Sequence, residues 1–338
     1  MPNDPLLPER PSHHAFTLGG DFMFNMSEGT PAWWGEGQDI LAARGESTII
    51  CGPPGVGKTT LTGQLVAGSL FGGRVLDMPV AQCERLLYIA SDRPQQIARS
   101  LRRNFTRDQH EVVNERLVIW KGPPPADMAK NPDLLRDMCL EAGADRVVVD
   151  SLKDVAIGLS EDAVGAGYNN ARQKALAAGV DVLELHHQVK RGADGGAPNT
   201  LSDVYGSTWL TGGAGSVILL SGKPGDTIVD FRHLKQPSAT VGPFKVMHDH
   251  ASGTSSVWNA ADPLAMIQAS RGQGITAREY AAALFEKDKP TPNEIEKARR
   301  KLTAMNNAGS IAVVELPAIN GGNPSKVYRM PTVLATAA

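Results

Sequence analysis

The stretch GPPGVGKTT, residues 52–60, follows the apolar run STIIC and leads into the run TLTGQLVAGSLF, which shares Thr60 with it; we predict these runs to be a strand and a helix. It fits the pattern Gly-x4-Gly-Lys-[Ser/Thr], in which glycines let backbone N–H groups point at phosphate oxygens. The N-terminus of the following helix adds positive partial charge. The stretch is therefore predicted to bind ATP and Mg²⁺ through Gly52, Pro53, Pro54, Gly55, Val56, Gly57, Lys58, Thr59 and Thr60.

Lys58 and Thr59 have separate predicted roles within this loop. We expect Lys58 to reach the β and γ phosphates and Thr59 to supply an oxygen ligand to Mg²⁺. A second acidic group is sought at the end of an apolar strand, and RVVVD ends in Asp150. Asp150 is predicted to hold the hydrated Mg²⁺. The alternative for Asp150 is an ordinary polar residue that ends a strand.

Hydrolysis also needs a group that orients or deprotonates water. Asp92 ends the run LLYIASD, which we expect to form the strand next to that of the phosphate loop. The alternative is that Asp92 caps a helix beginning at Arg93 and Pro94, because Asp before Pro is a favoured N-cap. The two roles are compatible.

Composition limits the classes of protein to consider. The 338 residues carry a net charge of −2 and three cysteines, which share no metal-binding or redox spacing. The charge alone does not indicate a nucleic-acid partner, and the thiols are expected to be reduced. Neither an apolar run long enough for a membrane span nor a signal sequence is recognised. We expect a cytoplasmic protein.

From Trp33 onward, predicted strands alternate with predicted helices, which is typical of an α/β fold whose mainly parallel sheet is covered on both faces. The predicted strands are STIICG, RLLYIAS, RLVIW, RVVVD and VDVLELHH, followed by SVILLS, TIVDFRH and FKVMHD, of which the later ones could be antiparallel. The predicted helices are TLTGQLVAGSLF, RPQQIARSLRRNF, DLLRDMCLEAG and NNARQKALAAG. Ligands of such sheets bind at the carboxyl ends of the strands.

Four regions are expected: a flexible N-terminal arm at 1–30, a nucleotide-binding core at 31–255, a linker at 256–263 and a small domain at 264–338. The arm could pack on a neighbouring subunit. In the small domain, Thr276/Glu279 and Thr291/Glu294 are capping boxes of two helices, and the strands IAVVEL and KVYRM follow. The order helix, helix, strand, strand predicts a winged-helix-like domain.

Several segments together resemble the RecA-like hexameric helicases of the DnaB class. The closest resemblance is to the small plasmid RepA-type replicative helicases and their phage and actinobacterial relatives. It covers about residues 30–250 and is carried by WWGEGQDILAARGESTIICGPPGVGKTT, LLYIASDRPQQIARSLRR, RVVVDSLKDV, VLELHHQVKRG and LSDVYGSTWLTGGAGSVILL. It implies a RecA-like P-loop ATPase core that assembles as a ring of six subunits.

The resemblance also assigns further residues. Asp92 occupies the place of the family's catalytic glutamate but is one methylene shorter. His187 lies in the family's sensor strand, where a glutamine is common. The segment FRHLKQPSATVGPFKV resembles the one that delivers basic residues to the neighbour's γ-phosphate, and Arg232 and Lys235 are its candidates. The alternatives are a structural histidine and a basic strand edge that discourages aggregation.

Candidate DNA contacts fall in two places. Lys190 and Arg191 begin a glycine-rich loop, 190–212, that would face the pore of a ring and track a phosphate backbone; the alternative is a solvated surface loop. Ser207 lies in the segment that resembles a DNA-contacting one, whereas we expect Trp209 to be packed rather than stacked on a base. In the small domain, Arg299 and Arg300 lie on the second helix, whose charges could also be a solvated face.

These patterns favour an ATP hydrolase, an ATP-dependent DNA helicase or translocase that acts in DNA replication. Its expected partners are single-stranded DNA, five further copies of the chain, and a replication or recombination protein at the small domain. One alternative is a RecA-like recombination or loading ATPase that does not separate strands. Another is a nucleotide-gated DNA-binding regulator, which would not need the hydrolytic residues.

Overall fold

The computed structural model describes residues 16–25, 29–189, 198–258, 262–270, 272–285, 287–316 and 325–331. The chain divides into two compact units, Met1–Val257 and Trp258–Ala338. No helix within those described ranges is long and apolar enough to cross a membrane. The first unit contains the phosphate loop.

The first unit alternates strands and helices along the chain. Its N-terminal half contains α1 (Gly19–Phe24), β1 (Ala32–Glu36), β2 (Asp39–Ala43), β3 (Ser47–Cys51), α2 (Lys58–Phe71), β4 (Arg74–Val75), β5 (Met78–Pro79), β6 (Leu86–Ala90), α3 (Pro94–Leu101), α4 (His110–Arg116) and β7 (Leu117–Lys121). Its C-terminal half contains α5 (Leu134–Ala142), β8 (Arg146–Asp150), α6 (Leu152–Val155), α7 (Asp162–Ala177), β9 (Asp181–His186), α8 (Thr208–Gly212), β10 (Ser216–Ser221), β11 (Ile228–Lys235), β12 (Phe244–Asp249) and β13 (Thr254–Trp258).

Nine of these strands form one sheet in the order β13-β12-β11-β10-β3-β9-β8-β6-β7. The six strands from β10 to β7 are parallel, while β11 is antiparallel to β10 and to β12. The predicted α/β fold with a mainly parallel sheet is confirmed, as is antiparallel pairing among its later strands. The arrangement is that of a RecA-like P-loop core.

One expectation about strand order is wrong. The strand that leads to Asp92, β6, does not lie next to the phosphate-loop strand β3, because β9 and β8 lie between them. The crossover connections of parallel strands leave their spatial order open, and an apolar run does not encode its neighbour. Asp92 therefore approaches the phosphate loop from across two strands.

The sheet is apolar on both faces, so that its central strands read as continuous apolar runs rather than alternating ones. Every residue of β3, β6, β9 and β10 is buried. One face is covered by Leu61 and Leu65 of α2 with Ile97 of α3. The other face is covered by Leu135 of α5 and Tyr168 of α7. Both faces therefore have a core, as predicted.

Element boundaries differ from the predictions in three places. The α-helix α3 ends at Leu101 and continues as a 3-10 turn over Arg102–Asn104, instead of running to Phe105. Helix α7 begins at Asp162, seven residues before the predicted start. Strand β13 extends through Trp258 into the predicted linker 256–263. Within the predicted arm 1–30, only residues 16–25, 29 and 30 are described, and they include α1.

The second unit has its own core. Its elements are α9 (Pro263–Ala269), β14 (Ile275–Thr276), α10 (Ala277–Leu284), α11 (Pro292–Asn307), β15 (Ala312–Leu316) and β16 (Ser325–Arg329). Both predicted capping boxes are present, at the starts of α10 and α11. The three strands pair antiparallel in the order β14-β16-β15. Sequence reasoning missed α9 and β14, and residues 317–324, between the two predicted strands, lie outside the described residues.

Candidate active site

The phosphate loop leaves the carboxyl end of β3 and runs into α2, so its backbone sits where ligands of such sheets bind. Gly52 and Gly57 have φ angles of 155° and 94°, which side-chain-bearing residues rarely adopt. A Cβ atom would overlap the Leu220 carbonyl oxygen at Gly52 and the His248 ring at Gly57. Only glycine fits both positions, and the loop presents bare backbone to the cavity above it.

Lys58 is the first residue of α2 and its ammonium turns back over the loop. Its Nζ donates to the carbonyl oxygens of Gly52 at 2.7 Å and Pro53 at 2.9 Å. Burial lowers the pKa of Lys58 to about 8, against the opposing effect of the nearby Asp150 carboxylate. A polyphosphate beside this ammonium would replace lost hydration and favour its charged form.

A cavity of about 690 Å³ opens above the loop, between the carboxyl ends of β3, β8 and β6. Predicted site residues from four separate segments meet there: Lys58 and Thr59, Asp92, Asp150, and His187. The full lining is Pro54, Gly55, Gly57, Lys58, Thr59, Thr60, Asp92, Arg93, Gln96, Ile97, Arg99, Ser100, Arg103, Asp150, Ser151, Lys153, Asp154, His187 and His250. The Val56 side chain instead lies in the core beneath the loop.

Asp150 is held by a tyrosine that sequence reasoning missed. The Tyr88 hydroxyl, on β6, donates to Asp150 Oδ2 at 2.7 Å. Burial raises the pKa of Asp150, whereas the Tyr88 hydrogen bond and the charge of Lys58 act in the opposite direction. The peptide bond that follows Asp150 is cis. A tyrosine inside a fully apolar strand was the available signal, because a buried phenol needs a polar partner.

Asp92 does not cap the helix that follows it. The N-cap of α3 is Arg93, in the left-handed region with φ 49° and ψ 57°, and it makes no side-chain cap hydrogen bond. The Asp92 carboxylate instead accepts from Arg93 Nε at 3.0 Å and lines the cavity. The capping alternative is therefore wrong, and Asp92 is one of the residues that line the cavity.

The residues present fit a nucleotide with Mg²⁺. Thr59 and Asp150 offer the hydroxyl and carboxylate oxygens that Mg²⁺ prefers. Across the described part of the chain, no group of three or more His, Cys, Asp or Glu residues could hold a metal ion by itself. Because Mg²⁺ usually keeps water and phosphate oxygens as ligands, a site with only these two protein oxygens suits a nucleotide-bound ion.

His187 follows β9 directly and faces the same cavity. Burial and the positive charges of Lys58 and Lys153 lower the pKa of His187 to about 4. The neighbouring His186 is completely buried, and its Nε2 lies 2.5 Å from the carbonyl oxygen of Tyr205. Burial also lowers the pKa of His186 to about 4. Both imidazoles are therefore neutral near pH 7, and His186 contacts Tyr205 within the glycine-rich loop.

The chain just before the glycine-rich loop, 190–212, is joined next to His187 to residues 203–205 inside that loop. Gln188 and Val204 form an isolated β-bridge. Tyr205 N donates to His187 O at 3.0 Å, and Val189 N donates to Asp203 O at 2.8 Å. His187 is therefore linked through the backbone to residue 205 of the loop. Lys190 and Arg191 lie outside the described residues.

Two further expectations for this segment need correction. Ser207 is buried; its Oγ donates to Asp162 Oδ1 at 2.6 Å and accepts from Trp209 N as the N-cap of α8. Its hydroxyl is committed to the fold rather than available to DNA. Trp209, expected to be packed, is 50% exposed.

Arg232 and Lys235 lie on β11, and neither is among the described residues that line the cavity. Arg232 is exposed and pairs in register with Leu219, which is level with the last residue of β3. Lys235 Nζ donates to the carbonyl oxygens of Thr211 and Gly212 at the end of α8. The strand-edge alternative stays a prediction, because β12 pairs with Ile228 to Phe231 of β11 and begins at Phe244, so that Arg232 and Lys235 lie beyond this pairing.

Several cavity residues were not found from the sequence. Arg93, Arg99 and Arg103 line it from α3 and the turn after it, and Arg103 Nη1 donates to His250 O at 2.7 Å. The spacing of Arg99 and Arg103 places them on one helical face, which was a usable signal. His250 follows the outer strand β12, and the sequence does not indicate that this strand returns to the phosphate loop.

The family model for an AAA domain matches residues 21–193, just over half of the chain. The chain belongs to this AAA domain family. Members are P-loop ATPases with a RecA-like core, so ATP binding through the phosphate loop and an ATPase function follow from membership. No curated protein matches the chain. The AAA domain match includes Lys58, Thr59, Asp92, Asp150 and His187, and it ends before β10.

Proposed function

We propose that this AAA domain protein is an ATP-dependent DNA helicase or translocase of the DnaB class, related to the RepA type and acting in DNA replication. It works as a ring of six copies that moves along single-stranded DNA. The observation that carries the proposal is the convergence of Lys58, Thr59, Asp92, Asp150 and His187 on one cavity. A nucleotide-gated switch would need Lys58, Thr59 and a metal ligand, but it would not need Asp92, the carboxylate that positions water.

The residues of the cavity have separate roles in ATP hydrolysis. The loop N–H groups and Lys58 hold the β and γ phosphates, and Thr59 and Asp150 hold Mg²⁺, which neutralises phosphate charge when bound. Asp92 orients a water molecule and takes its proton as the oxygen attacks the γ-phosphorus. The bond to the β–γ bridging oxygen then breaks and leaves ADP. Asp92 must move away from Arg93, with which it pairs at 3.0 Å.

Movement of DNA is assigned to the glycine-rich loop, 190–212, whose residues 203–205 are joined to the chain beside His187. Loss of the γ-phosphate changes the surroundings of the His187 imidazole, and the hydrogen bonds from Tyr205 and Val189 carry that change to the loop. Lys190 and Arg191 would track the phosphate backbone of the strand in the pore. This step couples hydrolysis to translocation.

A neighbouring copy completes the site with Arg232 or Lys235. Neither cation reaches the cavity of its own chain, and a cation supplied across an interface can accelerate phosphoryl transfer by about three to five powers of ten. Arg232 is exposed, whereas Lys235 would have to leave the carbonyl groups of Thr211 and Gly212.

The test is an ATPase assay with and without single-stranded DNA, followed by strand separation of a forked duplex. We expect stimulated turnover that is lost in Lys58→Ala, and unwinding that requires ATP. Nucleotide binding without turnover would contradict the proposal and favour a switch. Stimulated turnover without strand separation would restrict it to a translocase.

A further inference from the structure

The charge of the chain is divided unequally between its two units. Residues 258–338 contain ten Lys and Arg but seven Asp and Glu, whereas residues 1–257 contain 24 and 29. The overall net charge of −2 therefore conceals a positive second unit and a negative first one. A local excess of positive charge on a small unit is the electrostatic signature of a nucleic-acid partner.

Helix α11 presents two different sides. Ala298 and Leu302 are completely buried and point into the core of the second unit. The opposite side carries Asn293, Lys297, Arg300 and Asn307, all exposed and spaced three, four or seven residues apart. Such spacings place side chains along one line of a helix. We call these four residues the outward face of α11.

The chemistry of the outward face favours nucleic acid over protein. It has no large apolar side chain, whereas protein–protein interfaces depend on aromatic and apolar anchors. Arg and Lys bind phosphates and the edge of guanine, and Asn pairs with the edge of adenine. At 16 residues, α11 is about 24 Å long, and a helix fits the roughly 12 Å width of the major groove of duplex DNA.

The cationic side chains of α11 differ in the groups that they contact. Lys301 Nζ lies 5.7 Å from the centre of the Tyr280 ring on α10. Arg299 pairs with Glu296 at 2.5 Å and lies nearer the core side of the helix. Arg300 also approaches Glu296, at 3.4 Å, but its side chain is 79% exposed. Such an exposed pair is weak, so a phosphate can displace it.

The position of α11 in its unit agrees with this assignment. It is the second of two packed helices, α10 and α11, and in helix-turn-helix proteins the second helix enters the major groove. Its first turn is fixed by the Thr291/Glu294 capping box and by Lys287 Nζ, 2.5 Å from Glu294 Oε1. The Glu294 charge is thereby neutralised near the end of the helix that carries Asn293.

We propose that the outward face of α11 binds double-stranded DNA in the major groove. This site is separate from the single-stranded DNA path proposed for the first unit and does not require nucleotide. It gives the chain a second DNA activity, recognition of a duplex site by the unit that follows the ATPase. Lys297 and Arg300 supply affinity, and Asn293 and Asn307 supply base contacts.

The experiment uses the full chain and the fluorescence anisotropy of a labelled duplex of about 20 base pairs, the scale of one specific site. Excess unlabelled oligo(dT) occupies any single-strand site. The variant Lys297→Ala/Arg300→Ala is compared with Arg299→Ala/Lys301→Ala, which removes the same charge from the same helix. Thermal melting confirms that both variants are folded.

We expect duplex binding to weaken by about tenfold or more in Lys297→Ala/Arg300→Ala, with the slope of log affinity against log salt reduced by about two. The Arg299→Ala/Lys301→Ala variant should stay within about threefold of the native protein. Equal losses in both variants, or oligo(dT) that competes as well as duplex, would overturn the proposal. Lys58→Ala should leave duplex binding unchanged, so this result is independent of ATP hydrolysis.

Discussion

Two buried tyrosines donate to a carboxylate in this chain, and only one of those carboxylates faces the cavity. Tyr88 donates to Asp150 and Tyr168 donates to Glu184, each at 2.7 Å. Glu184 is also paired with Arg172, deep in the sheet. The two phenols make hydrogen bonds of the same kind and length, but only the first one orients a candidate Mg²⁺ ligand.

We expect Tyr88→Phe to raise the Mg²⁺ concentration needed for half-maximal ATPase activity by about tenfold, as for other residues that orient metal ligands. Because the Tyr88 hydrogen bond lowers the pKa of Asp150, its loss should also move the acid limb of the pH–rate profile to higher pH. Steady-state kinetics against Mg²⁺ and pH measures both effects.

Tyr168→Phe is the matched control for this prediction. It removes a phenol-to-carboxylate hydrogen bond of the same length from a residue that is equally buried. Its Mg²⁺ requirement and acid limb should be those of the native protein, although both variants should lose about 1–3 kcal/mol of stability. Equal kinetic effects in the two variants would assign Tyr88 a purely structural role.

The lowered pKa of Lys58 predicts a pH dependence of nucleotide binding. With its pKa at about 8, Lys58 is charged at pH 7 and mostly neutral at pH 9. Since phosphate binding requires the charged form, ATP affinity should fall about tenfold between these values. Lys58→Arg should show no such fall, because arginine stays charged. Calorimetric titration across this range is the measurement, and a flat profile for the native protein would contradict it.

The sequence identified the residues with motif spacing but not those that support them. Lys58 and Thr59 follow from the loop pattern, and Asp150 and Asp92 follow from their places after apolar strands. Tyr88 reaches Asp150 through the order of the strands, and His250 reaches the cavity through the return of an outer strand. Those are properties of the assembled sheet, and no local pattern contains them.

At the scale of elements, the start of α3 is unusual, because a non-glycine residue there adopts a left-handed conformation. Arg93 has a φ angle of 49° and lies between Asp92 and the helix. Such a conformation costs an L-residue with a Cβ atom about 1–2 kcal/mol. Strained backbone of this kind often occurs at functional sites, and here both Arg93 and the adjacent Asp92 line the cavity.

Arg93→Gly should therefore raise the free energy of unfolding by up to about 1 kcal/mol, since glycine adopts this conformation without strain. Its ion pair with Asp92 is exposed and contributes little. Arg99→Gly, inside α3, should instead lower the free energy of unfolding by about 1 kcal/mol. Urea denaturation compares the two variants, and a destabilised Arg93→Gly would show that the guanidinium group outweighs the strain.

Helices could be predicted where apolar residues recur with helical spacing over many residues and where capping residues mark the ends. Helix α11 and the boxes at Thr276 and Thr291 are examples. The two-residue strand β14 and the seven-residue helix α9 were missed, because elements of that length carry little periodic signal. The start of α7 was missed because glycines at 165 and 167 interrupt its pattern.

At the scale of the whole molecule, the proposed ring makes a prediction about mixed subunits. Lys58→Ala copies cannot bind nucleotide productively but would keep their trans-acting cations. Copies with Arg232→Ala and Lys235→Ala would keep the phosphate loop but lose those cations. Each variant alone should be nearly inactive, and a mixture should recover ATPase activity, because some interfaces combine an intact loop with an intact cation.

The control is a mixture of native and Lys58→Ala copies at the same total concentration, with the assembly state followed by light scattering. If the two inactive variants assemble with each other but recover no activity, each chain hydrolyses ATP with its own residues. Full activity of the Arg232→Ala/Lys235→Ala protein alone would likewise show that each chain hydrolyses ATP with its own residues. The arginines of α3 that line the cavity would then be the candidates for the cation that contacts the γ-phosphate.

The phosphate-loop strand β3 is flanked by β9 on one side and by β10 on the other, and the His248 ring lies against Gly57. Both β10 and His248 lie beyond residue 193, where the family match ends. A genetic crossover between residues 193 and 216 would leave an apolar strand without its neighbour in the middle of the sheet. Recombination between such genes should therefore preserve the fold when the breakpoint lies near residue 258. A breakpoint near residue 193, where the family match ends, should disrupt it.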